Sequence, residues 1–212
     1  MKNLFTSFFM AALLSCQAIS NEKPAPAYYH LSDQENLETA TLAGGCFWCV
    51  EAALEQLVGV SEVVSGYSGG KASTADYRSV SSGKTRHAEA IQVYFDPKII
   101  SYEQLLNVFF VAHDPTQLNR QGPDFGPQYR TAIFYHSEEQ KETSEKVMEA
   151  IQGNYKSPIV TELNAFETFY LAEEYHQNYE KRNPYQPYIL RVSKPKVERV
   201  QKTFPQLLKE RD

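Results

Sequence analysis

Gly44-Gly45-Cys46-Phe47-Trp48-Cys49 separates a run of strand character from a run of helical character. Residues 38–43, Glu-Thr-Ala-Thr-Leu-Ala, read as a short strand ending at the glycine pair. Residues 50–57 place apolar Val50, Ala53, Leu54 and Leu57 at helical spacing. The stretch therefore predicts a strand-to-helix turn with Cys46 near the helix N-terminus, where unpaired backbone N–H groups favour negative charge. Such surroundings lower a cysteine pKa and make the reactive thiolate available at neutral pH. Two cysteines three positions apart at such a turn point to thiol redox chemistry.

Outward from this turn, strand and helix signals alternate. Residues 60–65 read as a strand. Residues 66–83, rich in Gly and Ser and containing Asp76-Tyr77-Arg78, read as a long loop. Residues 88–95 form a strand closed by Asp96-Pro97. Residues 102–113 form a helix with Ser101 as N-cap and Leu105, Leu106, Phe109 and Phe110 on its buried face. Residues 114–128, dense in Pro and Gly, make a second long loop, and loops of that length in compact domains are usually functional. Beyond it come a strand at 129–136, a helix at 137–153 that Gly153 is placed to cap, a strand at 159–163, and a helix at 172–181 stopped by Asn183-Pro184. Strands interleaved with helices predict an α+β or α/β domain with a mixed sheet.

The chain has 212 residues, 42% apolar and 13% aromatic, which fits a globular protein with a substantial core. A net charge of -5, with no basic patch interleaved with aromatics, argues against a nucleic-acid partner. Residues 1–20 read as a targeting segment, with Lys2 followed by an apolar stretch from Leu4 to Leu14 too short to span a bilayer. Two cleavage readings stand: Leu13-Leu14-Ser15-Cys16 resembles a lipobox that would lipidate Cys16, and Ala18-Ile19-Ser20 offers small residues to an ordinary signal peptidase. Both imply export to the periplasm or cell envelope, and the first adds a lipid anchor. Residues 21–36, polar with Pro24 and Pro26, read as a linker, residues 37–192 as the domain, and residues 193–212 as a charged, helical tail.

With Cys16 set aside, the domain holds only Cys46 and Cys49. A pair this close closes too small a loop to serve as a structural staple. A zinc site needs four ligands, and the five histidines (His30, His87, His113, His136, His176) lack ligand spacing. An inert buried pair is the bland alternative, and a thioredoxin-like dithiol is the serious rival. That motif, however, sets its Trp before the first cysteine and usually small residues between the two. Here Phe47 and Trp48 intervene and would build an apolar wall beside the sulfur, suited to an apolar substituent such as a methyl group.

Glu89 shares a strand face with Ile91, Val93 and Phe95. A carboxyl group there has a raised pKa and suits proton donation; the alternative is a strand-end side chain reaching solvent or an arginine. Asp124 lies in the rigid turn Gly122-Pro123-Asp124-Phe125-Gly126-Pro127. Tyr77 and Tyr129, each followed by arginine, flank the two long loops, though in a chain with 14 tyrosines any one is more often packing. His176 reads as part of an amphipathic helix face with a packing or solvent role.

Taken together, these residues resemble the A-type peptide methionine sulfoxide reductases. The matching elements are Gly44 to Trp48, Gly66-Tyr67-Ser68-Gly69-Gly70, Tyr77-Arg78, His87-Ala88-Glu89, Phe95-Asp96-Pro97, His113-Asp114-Pro115-Thr116-Gln117, Arg120-Gln121-Gly122, Asp124, Gly126, Gln128-Tyr129-Arg130 and Glu173-Glu174-Tyr175-His176-Gln177. The resemblance covers residues 37–184 in order. It implies an α+β fold, a mixed β-sheet with packed helices around a split βαβ, ferredoxin-like core. It implies methionine S-sulfoxide, free or in proteins, as substrate. By resemblance Cys46 matches the nucleophile and Glu89 the acid. Phe47 and Trp48 match the aromatics around the substrate methyl, and Tyr77, Asp124 and Tyr129 the groups that hydrogen-bond around the sulfoxide oxygen.

The chain departs from the family at Cys49, where many members have glycine and keep resolving cysteines further along. Ser81 stands at one such position and no cysteine follows Cys49, so the resolving role that the resemblance implies is expected of Cys49. Residues three apart in a helix have Cα atoms roughly 5–6 Å apart, within disulfide range. The implied cycle has Cys46 attacking sulfur, Glu89 protonating the oxygen, a Cys46 sulfenic acid, a Cys46–Cys49 disulfide and reduction by a thioredoxin-like dithiol. It needs neither metal nor organic cofactor. Two other classes stay in view: an exported thiol–disulfide exchange module, which has no use for Glu89, Tyr77 and Asp124, and a lipid-anchored binding domain without turnover.

Overall fold

The computed structural model describes residues 36–210. The expected targeting segment, the lipobox with Cys16 and the linker up to residue 35 lie outside the described residues. Strand β1 (Glu38–Gly44), helix α1 (Phe47–Glu55) and strand β2 (Val60–Ser68) follow one another. Strand β3 (Ala88–Phe95) inserts between the two strands, antiparallel to both, with Leu42 opposite Ile91 and Val63 opposite Val93. This is the split βαβ unit. The sheet grows to six strands with β6 (Thr131–Tyr135), β7 (Glu162–Ala165) and β8 (Phe169–Leu171), in the order β7-β6-β1-β3-β2-β8. Only the β6–β7 pair is parallel, so the sheet is mixed and the fold is α+β.

The apolar face of α1 supplies Phe47, Val50, Ala53 and Leu54 to the main core, with Leu42, Ile91 and Val93 from the sheet. Helix α3 (Tyr102–Ala112) adds Leu105, Leu106 and Phe109, all fully buried; burial of each contributes about 1.5–3 kcal/mol. It starts where the sequence places it because Ser101 and Gln104 form a reciprocal capping box: the Ser101 hydroxyl accepts from the Gln104 N–H at 3.2 Å, and the Ser101 N–H donates to Gln104 Oε1 at 2.9 Å. Helix α4 (Glu138–Gln152), capped by Ser137, covers α3 and β6. The charged C-terminal segment enters a π-helical turn at Ile189–Ser193, and helix α6 (Lys194–Thr203) packs on α1 and α3 with Val200 fully buried.

Several expectations differ from the structure: the strand expected at 129–136 starts at Thr131, the one expected at 159–163 runs Glu162–Ala165, and three further departures bear on the site. β2 continues through Gly66-Tyr67-Ser68, where the glycine signals a loop in sequence. Gly66 is instead a point of close approach: a Cβ there would lie 2.2 Å from the Phe169 ring of β8, a strand the sequence reading lacks. The long loop also contains helix α2 (Tyr77–Ser81), started by Asp76, whose carboxylate accepts from the Ser79 N–H at 2.9 Å. The helix expected at 172–181 is broken into a 3-10 turn (Glu174–His176) and the short helix α5 (Tyr179–Arg182). Asn178 takes a left-handed φ of 52°, its N–H donating to Glu51 Oε1 at 3.0 Å, and the Gln177 side chain pairs with both backbone groups of Ser65 at 2.9 Å. Tertiary partners thus outcompete the helical ladder.

Candidate active site

The chain reverses between β1 and α1 at Gly45, whose φ is +88°. A Cβ there would sit 2.5 Å from Cβ and Cγ of Gln121, so this turn admits only glycine. The reversal leaves Cys46 as the N-cap residue of α1 and Cys49 one turn further in. Cys46, Phe47, Trp48, Tyr77, Glu89, Asp124 and Tyr129 line one cavity of about 240 Å³, together with Gln186 and Tyr188. Cys49 lies beneath it, fully buried, with Sγ 4.0 Å from the Tyr188 hydroxyl. The structure thus brings all the sequence-derived candidates into one site.

Burial pushes the Cys46 thiol up, and the adjacent Cys49 and Glu89 add to the rise. The Cys46 hydrogen bond pulls Cys49 down to about 6 against its own burial, with help from the Lys196 charge and the hydroxyls of Ser193 and Tyr188. The helix N-terminus, expected to make Cys46 the low-pKa thiol, is outweighed by desolvation and by the second sulfur. The two neighbouring thiols are thus shifted in opposite directions, Cys46 up and Cys49 down.

Glu89, on β3, is 2% exposed, and Oε2 accepts from the Phe47 backbone N–H at 3.2 Å. Among the described residues it pairs with no arginine. Burial raises its carboxyl to about 8, the Phe47 N–H opposing and Asp124 and Cys49 reinforcing the shift. Glu89 is therefore largely a neutral acid at pH 7. Burial also raises Tyr77 to about 12 and pushes Tyr129 and Tyr188 higher still, so the phenols around the cavity stay protonated donors. Tyr188 donates to Asp124 Oδ2 at 2.6 Å. Asp124 is presented by a tight hairpin of β4 (Arg120–Gln121) and β5 (Asp124–Phe125).

The aromatic wall is held from behind by Tyr179 and by His176, whose expected packing role takes this form. Trp48 stacks on Tyr179 with centroids 3.8 Å apart and a 9° tilt, and its indole N–H donates to His176 Nδ1 at 3.2 Å. Because the indole only donates, His176 is the neutral Nε2–H tautomer, and burial lowers its pKa accordingly. Its ring also touches Tyr77, at 4.4 Å, and Phe47, at 5.0 Å. Glu173 accepts from the Tyr67 hydroxyl at 2.8 Å and from the Tyr77 N–H at 2.9 Å, which sets the start of α2. The available signal for Glu173 and His176 was their place in a matched motif. Gln186 and Tyr188 follow a helix stop and read as an ordinary turn.

A buried thiol, a neutral carboxylic acid and several phenolic donors around a small cavity with an apolar wall suit one kind of step. Sulfur attacks an electrophilic atom carrying an apolar substituent while an oxygen on that atom is protonated.

A family model described as peptide methionine sulfoxide reductase matches residues 38–208. The chain is 52% identical over 171 residues to the peptide methionine sulfoxide reductase MsrA of Haloquadratum walsbyi, which covers 81% of this chain and 98% of that protein. Mxr1 from Saccharomyces cerevisiae in reduced form superimposes with a TM-score of 0.70 at 36% identity, over 73% of this chain and 90% of that one. The same yeast protein in complex with Trx2 gives a TM-score of 0.51 at 28% identity, over 69% and 87% of the respective chains. Sequence, fold and matched relatives agree, and this chain belongs to the A-type peptide methionine sulfoxide reductase family.

Proposed function

We propose that this protein reduces methionine S-sulfoxide, free and in proteins, to methionine, and that a thioredoxin-like dithiol resets it. One observation carries the reading: Cys46 and the neutral Glu89 carboxyl face the same aromatic-walled cavity. The substrate methyl packs against Phe47 and Trp48, and its oxygen lies among Glu89, Tyr77 and Tyr129, with Asp124 beside them. Cys46 attacks the sulfoxide sulfur as Glu89 protonates the oxygen; an S–S bond forms, the S–O bond breaks, and the oxygen takes the Cys46 proton as its second and leaves as water. Water then adds to the Cys46 sulfur, the S–S bond breaks with its electron pair leaving on methionine, Glu89 regains a proton, and Cys46 is left as a sulfenic acid. Cys49 then closes a disulfide with Cys46. Capture of yeast Mxr1 in complex with Trx2 supports a thioredoxin-like reductant. An exchange module would leave Glu89, Tyr77 and Asp124 without a task.

The test is turnover of the two separated methionine sulfoxide epimers by residues 37–212 with dithiothreitol. Consumption of the S epimer alone is expected; equal consumption of both, or of neither, contradicts the proposal.

Export to the periplasm or cell envelope rests on the composition of residues 1–20. Labelling cells with a radioactive fatty acid separates the cleavage readings: label that is lost in Cys16→Ala supports the lipid anchor, and an unlabelled, cleaved wild-type chain supports ordinary processing.

A further inference from the structure

Cys49 is fully buried and lies outside the cavity that Cys46 lines. Its thiol proton therefore has to leave through a protein group rather than directly to water. One hydroxyl is placed to take it. The Tyr188 hydroxyl lies 4.0 Å from Cys49 Sγ, a long contact of the kind a sulfur donor makes, and 2.6 Å from Asp124 Oδ2. A phenol has one proton, and at 2.6 Å, the length of a charge-assisted bond, that proton is committed to the carboxylate. The direction of the longer contact follows: the Cys49 S–H donates and the Tyr188 oxygen accepts. A chain of two donors thus runs from the second sulfur to a carboxylate on the cavity wall. The Tyr188 ring is set edge-on to Trp48, with centroids 6.0 Å apart, just ahead of the π-helical turn Ile189–Ser193.

The other groups bearing on Cys49 are Cys46 on its own turn, Ser193 and Lys196 from the C-terminal segment, and Glu89 from β3. The Ser193 hydroxyl is already a donor to Glu180. Cys46 favours the Cys49 thiolate chiefly by hydrogen bonding to it. That S–H is gone once Cys46 carries oxygen, so Cys49 meets the sulfenic acid with its burial opposing charge and its proton still to be removed.

We propose that Tyr188 relays the Cys49 proton to Asp124 as Cys49 resolves the sulfenic acid. The proposal rests on the reading of Cys49 as the resolving cysteine. The Cys49 proton passes to the Tyr188 oxygen while the Tyr188 proton passes to Asp124 Oδ2, so no phenolate forms. The Cys49 sulfur attacks the Cys46 sulfur; the S–S bond forms, the S–O bond breaks with its electron pair on oxygen, and that oxygen takes a proton from Glu89 and leaves as water. The Cys46 sulfur is reduced and the Cys49 sulfur oxidised to the disulfide level. The proton on Asp124 then returns to Glu89 across the cavity that both line.

The test compares the Cys16→Ala chain, as reference, with the same chain carrying Tyr188→Phe. Each is reduced and given one equivalent of methionine S-sulfoxide without reductant, and methionine and remaining thiols are counted by rapid quench across pH. One thiol lost marks the sulfenic acid and two mark the disulfide. Tyr188→Phe should slow loss of the second thiol by about tenfold or more beyond any slowing of methionine formation. That deficit should shrink as pH rises and solvent hydroxide makes the thiolate without the relay. Glu89 titrates in both proteins, so the ratio of the two profiles reads the hydroxyl. Closure that keeps pace with methionine formation, or a deficit equal at every pH, overturns the relay. Asp124→Asn should show the same rescue by pH, and it makes the comparison should Tyr188→Phe fail to fold by circular dichroism. A reference chain that never loses its second thiol overturns the resolving reading and the relay with it, whereas two thiols lost with matching profiles overturn the relay alone.

Discussion

The backbone N–H of Phe47 donates to the carboxyl of Glu89 across 3.2 Å, linking the first turn of α1 to the second residue of β3. The residue after Cys46 therefore holds the Glu89 carboxyl in place, and the distance between the Cys46 thiol and this carboxyl is set by the pairing of β1 with β3. The geometry of the site is a consequence of sheet register.

Glu89→Gln keeps the shape and the contact with Phe47 but removes the acid. Single-turnover sulfoxide reduction should slow by about 100-fold or more, with substrate binding little changed. In the wild type the chemical step should decline as pH rises through about 8, where the Glu89 proton is lost. Rapid-quench rates across pH check both; an unchanged rate in the variant would remove Glu89 from the acid role.

Stability should carry the same signature. The folded state holds the Glu89 proton to about 8 and the Glu51 proton to about 7, against an ordinary value of 4.5 for each. Folding takes up protons between these limits, so this contribution is complete below about pH 4.5 and lost as pH climbs through 7 and 8. Urea midpoints of the wild type should fall over that window. The Glu51→Gln and Glu89→Gln proteins should show flatter profiles, and parallel profiles would exclude buried neutral carboxyls.

His176→Ala should act on binding more than on chemistry. It removes the acceptor of the Trp48 indole N–H and a ring packed on Phe47 and Tyr77. Loss of one such hydrogen bond, about 0.5–1.5 kcal/mol, corresponds to a KM increase of roughly 2- to 13-fold. Steady-state kinetics with free methionine sulfoxide measure it; a collapse of kcat at unchanged KM would contradict a wall-holding role.

Gly45→Ala meets both a φ of +88° and the Gln121 side chain. A destabilisation of about 2 kcal/mol or more is expected in urea unfolding, together with lost activity as Cys46 is displaced. Near-wild-type stability would mean that the turn has another conformation available.

Much of this was legible in the sequence for physical reasons. The strand at 88–95 is a short run rich in β-branched and aromatic residues, and the helix from Tyr102 announces itself by its capping box, so both lie where expected. The glycine-bounded turn at Cys46 is likewise local. What was hidden depends on distant partners. Gly66 reads as a breaker until Phe169 is seen packed on it, and the Tyr175-His176 helix dissolves because Glu51 and Ser65 take its backbone and side-chain groups. The low pKa expected of Cys46 failed for the same reason: helix position is visible in sequence, but burial and the partner sulfur are not.

The most direct test of the whole account is a single-turnover mass measurement. Fully reduced enzyme receives one equivalent of methionine S-sulfoxide without reductant, and the product is digested and mapped. One methionine should form per enzyme, with both thiols lost and the Cys46 and Cys49 sulfurs joined in one disulfide. In Cys49→Ser the same methionine should form, with Cys46 trapped as sulfenic acid. Methionine formed while Cys46 remains a free thiol would contradict the account at its centre.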